Sequence, residues 1–333
     1  MQDRGTILSR RRMITVMAAA AAAPVLPRRA GAEAPRRWVW HGTALGAPAT
    51  LILVHPDRAA AEAAVTACLA EVERLEGEFS LHRPGSALSR LNAQGVLAHP
   101  SLDMLVLLET AAAVSDASGG AFDVTVQPLW RLYAEHFAAN PRATDGPPQG
   151  EIARALERVD YRRLSLTPER VALPPGMSVT MNGIAQGYVT DRVADLLRAR
   201  GWANVMIDLG EIRALGRRAD GGAWTVGIDR PANLRGPLPI LAVSDRAVAT
   251  SAAAGTIFEA SGRHHHLFDP RTGRSAFGCT QVTVVADRAA LADGLSTALF
   301  AARPEERANI LARFPKAECL IVETDGRLSR LVG

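Results

Sequence analysis

Cysteine is scarce in this chain: 333 residues carry three, Cys68, Cys279 and Cys319. No two of them stand at a metal-ligand spacing, and an odd number excludes a complete disulfide framework. Cys68 falls within a helical pattern and the other two lie beside strand-like runs. Buried packing is expected for each, with room for one disulfide in an oxidising compartment. Long apolar runs are also absent. The N-terminal one, Met13 to Leu26, is too short and alanine-rich to span a bilayer comfortably, which argues against stable membrane insertion. No second His or Cys cluster accompanies His264-His265-His266, so zinc has little support. Internal repeats and long charge runs are missing as well.

What is present begins with an export signal. Ser9-Arg10-Arg11-Arg12 precedes the apolar stretch, and Ala30-Gly31-Ala32 closes it, giving an n-region, an h-region and an A-x-A cleavage site over residues 1–32. The paired arginines and the modest h-region favour the twin-arginine route, hence a periplasmic protein. No cysteine follows the cleavage site, which argues against a lipid anchor there. Residues 1–32 hold six arginines and one aspartate, and removing that charge from the chain's +4 leaves about −1 for residues 33–333. The high pI therefore belongs to the signal and gives no support for nucleic-acid binding.

Along the mature chain, residues 38–55 read as two strands joined by a Gly/Pro turn. Asp57 is placed to cap a long helix reaching Glu78, with Val65, Leu69, Val72 and Leu75 at helical spacing. A polar connection over 80–95 leads to a helix around 101–117, which Gly119-Gly120 stops. Strands are expected near 163–173 and 178–181, and a helix over 186–200. Residues 203–250 read mostly as strand and turn, and two further strands flank a helix at 288–302. Such alternation indicates an α+β fold, with mixed or antiparallel sheets and flanking helices. The Pro/Gly-rich stretch 138–150 is either a boundary between two lobes or a surface loop.

Several short constellations carry chemistry. Asp293 and Thr297 stand four apart, so on a helix their oxygens share one face and form the oxygen-only pair that Mg²⁺ prefers. They are equally consistent with a cap and a back-bonded threonine. GIAQGYVTD at 183–191 opens a helix whose N–H groups suit phosphate, although many loop-to-helix junctions look the same. In IDLGEIRALG, Asp208 and Glu211 are candidates for binding a ligand's hydroxyl groups, and the glycines for bounding a hairpin. Asp123, inside an apolar run, needs a partner if buried. Adjacent histidines on a strand face opposite ways, so at most two of His264, His265 and His266 share a face.

Taken in order, FSLHRPGSALSRLN, GGAFDVTVQPLW, GIAQGYVTD, DLGEIRALG, VATS, HLFDPRTG and VTVVADRAALADGLSTALF resemble the ApbE family of FAD:protein FMN transferases, over about residues 75–302. The resemblance implies an enzyme that binds FAD with Mg²⁺, transfers the FMN half to a Ser or Thr hydroxyl of an acceptor protein, and releases AMP. It places Ala185, through its carbonyl, with Asp293 and Thr297 as metal ligands. Ala121, Phe122, Asp123, Thr180, Glu211 and Leu267 fall at flavin-nucleotide positions, and His266 at the active-site histidine. The implied acceptor is the extracytoplasmic part of a membrane-associated redox protein, with nitrous oxide respiration as its setting. Four departures stand out. Gln186 replaces a common Lys or Glu, His82 an aromatic tyrosine-like residue, Thr180 a frequent Asp, and Glu211 a frequent Gly. Gln186, Thr180 and His82 favour, as an alternative, a flavin carrier without catalysis; a further alternative is a hydrolase converting FAD to FMN and AMP, with water in place of the acceptor hydroxyl.

Overall fold

A computed structural model describes residues 36–333, so the export signal expected at 1–32 lies outside the described residues. Eight strands form the main sheet, in the order Arg36–Ala44, Ala47–His55, Val205–Asp208, Ile212–Leu215, Ala247–Ala252, Cys279–Ala286, Glu318–Glu323 and Leu328–Val332. Every neighbouring pair runs antiparallel. Three of the pairs are joined by short turns, which only antiparallel neighbours permit. The long excursion between His55 and Val205 holds most of the helices. Smaller hairpins, among them Trp224–Val226 with Leu241–Val243, sit outside this sheet.

Period-2 alternation decides which strand residues meet the helices. Leu51, Leu53, Val205, Ile207, Ala247, Ala249, Val282 and Val284 join the helices in one large core. Their neighbours Ile52, Met206, Val248 and Val285 face the other way and pack with Trp224, Val226 and Val243. Ser251 continues the parity of Ala247 and Ala249 and therefore points to the helix side.

Asp57 caps the helix Arg58–Phe79 as its sequence position implies, its Oδ1 accepting from Ala59 N at 2.8 Å. Two local expectations need correction. The polar connection contains a helix, Ala87–Gln94, capped by Ser86 and ended by Gly95 in the left-handed region. Its eight residues are too few to reveal a period, although Leu88 and Leu91 are wholly buried. Residues 178–181 belong to no strand. The Asn92 side chain occupies the ladder's place, accepting from Val179 N at 2.7 Å and donating to Val179 O at 2.8 Å.

Within the stretch 138–150, the loop after the helix Gln127–Ala139 is folded back. His136 Nε2 donates to Asp145 O at 3.0 Å, and Gly146 lies against the His264 ring. All three cysteines are buried and unpaired. Burial pushes the Cys68 and Cys279 thiols up to about 12 and Cys319 to about 11, so all three stay protonated and inert. Among the described residues, no helix is long and apolar enough to cross a membrane.

Candidate active site

The helices Ala185–Ala199 and Ala289–Ala301 cap one another. Ile184 and Arg288 precede them and supply no capping side chain, so the first N–H groups must find acceptors elsewhere. Asp293 Oδ2 accepts from Gly187 N at 3.1 Å. In return, Asp191 accepts from Ala289 N at 2.9 Å and from Ala290 N at 3.0 Å. The crossing requires glycine at 187, since a Cβ there would lie 2.2 Å from Ala289 O. Asp191 is almost wholly buried, with Arg288 Nε at 3.3 Å and Arg213 Nε at 3.5 Å. Burial pushes its carboxyl up, while Arg288, the two N–H groups and Arg213 pull it back.

Thr297 lies one turn beyond Asp293, as the spacing requires. Its Oγ1 is 3.1 Å from Ser251 Oγ, which is itself 2.7 Å from Ser296 Oγ. Ser296 Oγ donates to Asp293 O at 3.0 Å. A Cβ on Gly183 would come 3.1 Å from Thr297 Oγ1 and 3.2 Å from the Phe122 ring. The loop entering the first helix and the Phe122 loop therefore meet at Thr297. Buried Glu211 reaches the same strand as Ser251, its Oε2 accepting from Thr250 N at 3.2 Å. That N–H is available because Ile212–Leu215 pairs with this strand only at Ala247 and Val248. Gly210, at φ +104, brings this loop to the Gln186 amide, which a Cβ would meet at 2.6 Å.

Asp123 is engaged locally. Its Oδ1 accepts from Thr125 N at 2.7 Å and Thr125 Oγ1 at 2.6 Å, and its Oδ2 accepts from Tyr161 N at 3.0 Å. Burial raises its pKa against those bonds. The carboxylate thus shapes the loop that presents Ala121 and Phe122. Thr180 N donates to Val124 O at 2.8 Å, laying the Thr180 segment along that loop. Leu267 is buried and joined to Ala276 through its carbonyl. His82 is exposed.

The three histidines lie just before the strand Phe268–Asp269, outside any strand, and take three different environments. His264 packs on Tyr133 and Phe137. His265 is buried, with Nδ1 accepting from Leu267 N and Nε2 donating to Ala276 O at 2.9 Å; burial pushes it down to about 4, so it stays neutral. His266 Nδ1 lies 3.0 Å from Thr256 O. A carbonyl only accepts, so Nδ1 carries the hydrogen, and Nε2 is the basic nitrogen of the neutral ring.

The structure thus brings Ala185, Asp293, Thr297 and Phe122 to one place, with Glu211, in the turn before Ile212–Leu215, bonded to the strand that carries Ser251. Among the described residues, no three His, Cys, Asp or Glu side chains converge as a metal cluster. The donors here are a carboxylate and a hydroxyl beside a helix start, which suit a hard cation that keeps most of its water and borrows phosphate oxygens. Sequence reasoning assigned no role to Ser251, Ser296 or Asp191. Their signals were present, since Ser296 is three residues from Asp293, and Asp191 closes a motif read only as a helix opening.

Asp208, one turn of backbone from Glu211, makes a pH test. Burial pushes it up to about 6, aided by Asp229 and opposed by the Gly210 N–H. Its folded value exceeds the unfolded value of about 3.9, so the folded state binds the proton more tightly. The stability this proton confers is complete below the unfolded value and is lost as pH rises through about 6, on the order of 3 kcal/mol. Asp208→Asn should flatten that part of the stability–pH curve in urea titrations. An unchanged slope would contradict the assignment.

This antiparallel sheet with its flanking helices has the same fold as solved flavin transferases. The chain belongs to the ApbE family, whose model matches residues 45–321. It is 32% identical over 311 residues to an FAD:protein FMN transferase of Treponema pallidum (strain Nichols), covering 85% of this chain and 83% of that protein. It is 33% identical over 265 residues to one from Vibrio cholerae serotype O1, covering 76% and 78%. The structure of the ApbE protein of Thermotoga maritima superposes with a TM-score of 0.78 at 26% identity, covering 89% of this chain and 97% of that one. The flavin transferase ApbE from Vibrio cholerae gives 0.77 at 26% identity, covering 90% and 97%.

Proposed function

We propose that this chain is an FAD:protein FMN transferase. It moves the FMN half of FAD to a Ser or Thr hydroxyl of an acceptor protein and releases AMP. The observation that carries this reading is the meeting of Asp293, Thr297 and the start of the helix Ala185–Ala199 beside the Phe122 loop. The named relatives support it. Asp293, Thr297 and the carbonyl of Ala185 would hold Mg²⁺, which when bound neutralises charge on the pyrophosphate. Ala121, Phe122, Thr180, Glu211 and Leu267 line the flavin nucleotide.

The acceptor hydroxyl oxygen forms a bond to the FMN phosphorus as the bond to the AMP oxygen breaks. His266 takes the hydroxyl proton at Nε2, because Thr256 O fixes the hydrogen at Nδ1. The acceptor is the periplasmic part of a membrane redox protein, in keeping with twin-arginine export, and an accessory protein of nitrous oxide respiration fits that description.

The test mixes mature protein, FAD, Mg²⁺ and an acceptor domain, and reads the acceptor's intact mass. A covalent FMN increment that disappears with EDTA supports the transferase. FAD retained without transfer points to a carrier, and AMP release without an acceptor points to hydrolysis. His266→Ala should lower transfer by about 10²–10⁴-fold while FAD still binds. Transfer at the native rate would remove His266 as the base.

A further inference from the structure

The hydroxyl cluster beside Asp293 has a direction. Each hydroxyl holds one hydrogen and two lone pairs, and a carbonyl has none to give. Ser296 is wholly buried and spends its hydrogen on Asp293 O at 3.0 Å. At the 2.7 Å contact between Ser296 and Ser251, Ser251 must therefore be the donor. With its own hydrogen committed, Ser251 accepts at the 3.1 Å contact with Thr297. The run of donors is Thr297 to Ser251 to Ser296 to the Asp293 carbonyl. In the reverse order the Asp293 carbonyl contact would hold no hydrogen, and the Thr297 hydrogen would be turned outward.

We propose that Ser251 is a positioning residue, which draws the Thr297 hydrogen inward so that Thr297 presents only lone pairs on its open side. A cation there meets an acceptor already aligned, with no hydroxyl hydrogen to displace. The consequence for metal binding rests on Asp293 and Thr297 being oxygen donors to a divalent cation; the orientation itself does not. Strand parity aims Ser251 at the helix side, along with Ala247 and Ala249. Its exposure of 4% keeps water from replacing it as the acceptor.

Two measurements decide the matter. Neutron diffraction from deuterated crystals of the mature protein reads the hydrogens directly. Deuterium on Thr297 directed at Ser251, and on Ser251 directed at Ser296, supports the relay; the opposite order overturns it. Mn²⁺ titration followed by electron paramagnetic resonance reads the consequence. Ser251→Ala should weaken Mn²⁺ binding about tenfold, approaching Thr297→Ala, and should add little in a Thr297→Ala background. Ser296→Ala, which lets the Ser251 hydrogen turn toward Thr297, should weaken binding by about threefold. Native affinity in Ser251→Ala, or additive losses in the double variant, would overturn the proposal. If the wild type binds no Mn²⁺, the oxygen-donor reading fails, and the neutron map still settles the role of Ser251. That map also decides if Ser251→Ala does not fold.

Discussion

Asp293→Ala should abolish FMN transfer at limiting Mg²⁺, a loss of about 100-fold or more, while the protein still folds. Two roles meet in this carboxylate, and a second substitution separates them. One role is the proposed cation ligand. The other is the cap on Gly187 N at 3.1 Å, which Asn can also fill through its carbonyl oxygen. Losing the cap costs about 1 kcal/mol, a tolerable fraction of a domain's stability. Asp293→Asn should therefore melt close to the wild type yet be nearly as inactive as Asp293→Ala. Transfer assays across an Mg²⁺ series, alongside thermal melts, check both halves. Unchanged transfer by either variant at limiting Mg²⁺ would sink the metal role. A large loss of stability in Asp293→Asn would show that charge matters to the cap.

The second large effect concerns folding. Asp191→Ala should cost about 3–5 kcal/mol, because it removes one partner from a buried ion pair. Arg213 is 4% exposed, and burial already pushes its pKa down. Without Asp191 that guanidinium keeps Asp245 O as an acceptor, but its Nε no longer has a carboxylate 3.5 Å away. Ala289 N and Ala290 N lose their cap in the same change. Asp191→Asn keeps an acceptor oxygen but not the charge, so it should fall between the two. Urea denaturation gives the comparison, and a loss below about 1 kcal/mol for Asp191→Ala would contradict it.

Much of this fold could be read from residue order. Asp57 announces its helix, and the short β-branched and apolar runs within 38–55 and 279–286 announce strands; Cys279–Ala286 is buried on both faces, so its apolar run is nearly continuous. The helix Ala87–Gln94 was missed because two buried leucines in eight residues leave no period to see. Residues 178–181 misled for another reason. Their composition suits an extended chain, but whether a ladder forms depends on a neighbour, and here Asn92 fills that place from 87 residues away. At the site, Asp293 and Thr297 were legible because both lie on one helix. Ser251 was not, since its meeting with Thr297 spans 46 residues and depends on a strand crossing a helix. The three histidines stood out as a cluster, whereas their sorting and their partners Thr256 and Ala276 depend on tertiary packing, because they lie in a loop and not on the strand expected for them.

The mutual capping of the two helices also governs when the site can exist during synthesis. Gly187 waits 106 residues for Asp293, and Asp191 waits 98 for Ala289. A ribosome adding about 5–20 residues per second leaves the first helix without its cap for several seconds at least. Over that interval the nascent chain holds no finished site. Neither helix start is completed before the other emerges, so a chain halted short of residue 293 lacks both the donor pair and the cap. Emergence of residues 289–297, close to the end of translation, therefore completes both helix starts and the donor pair together.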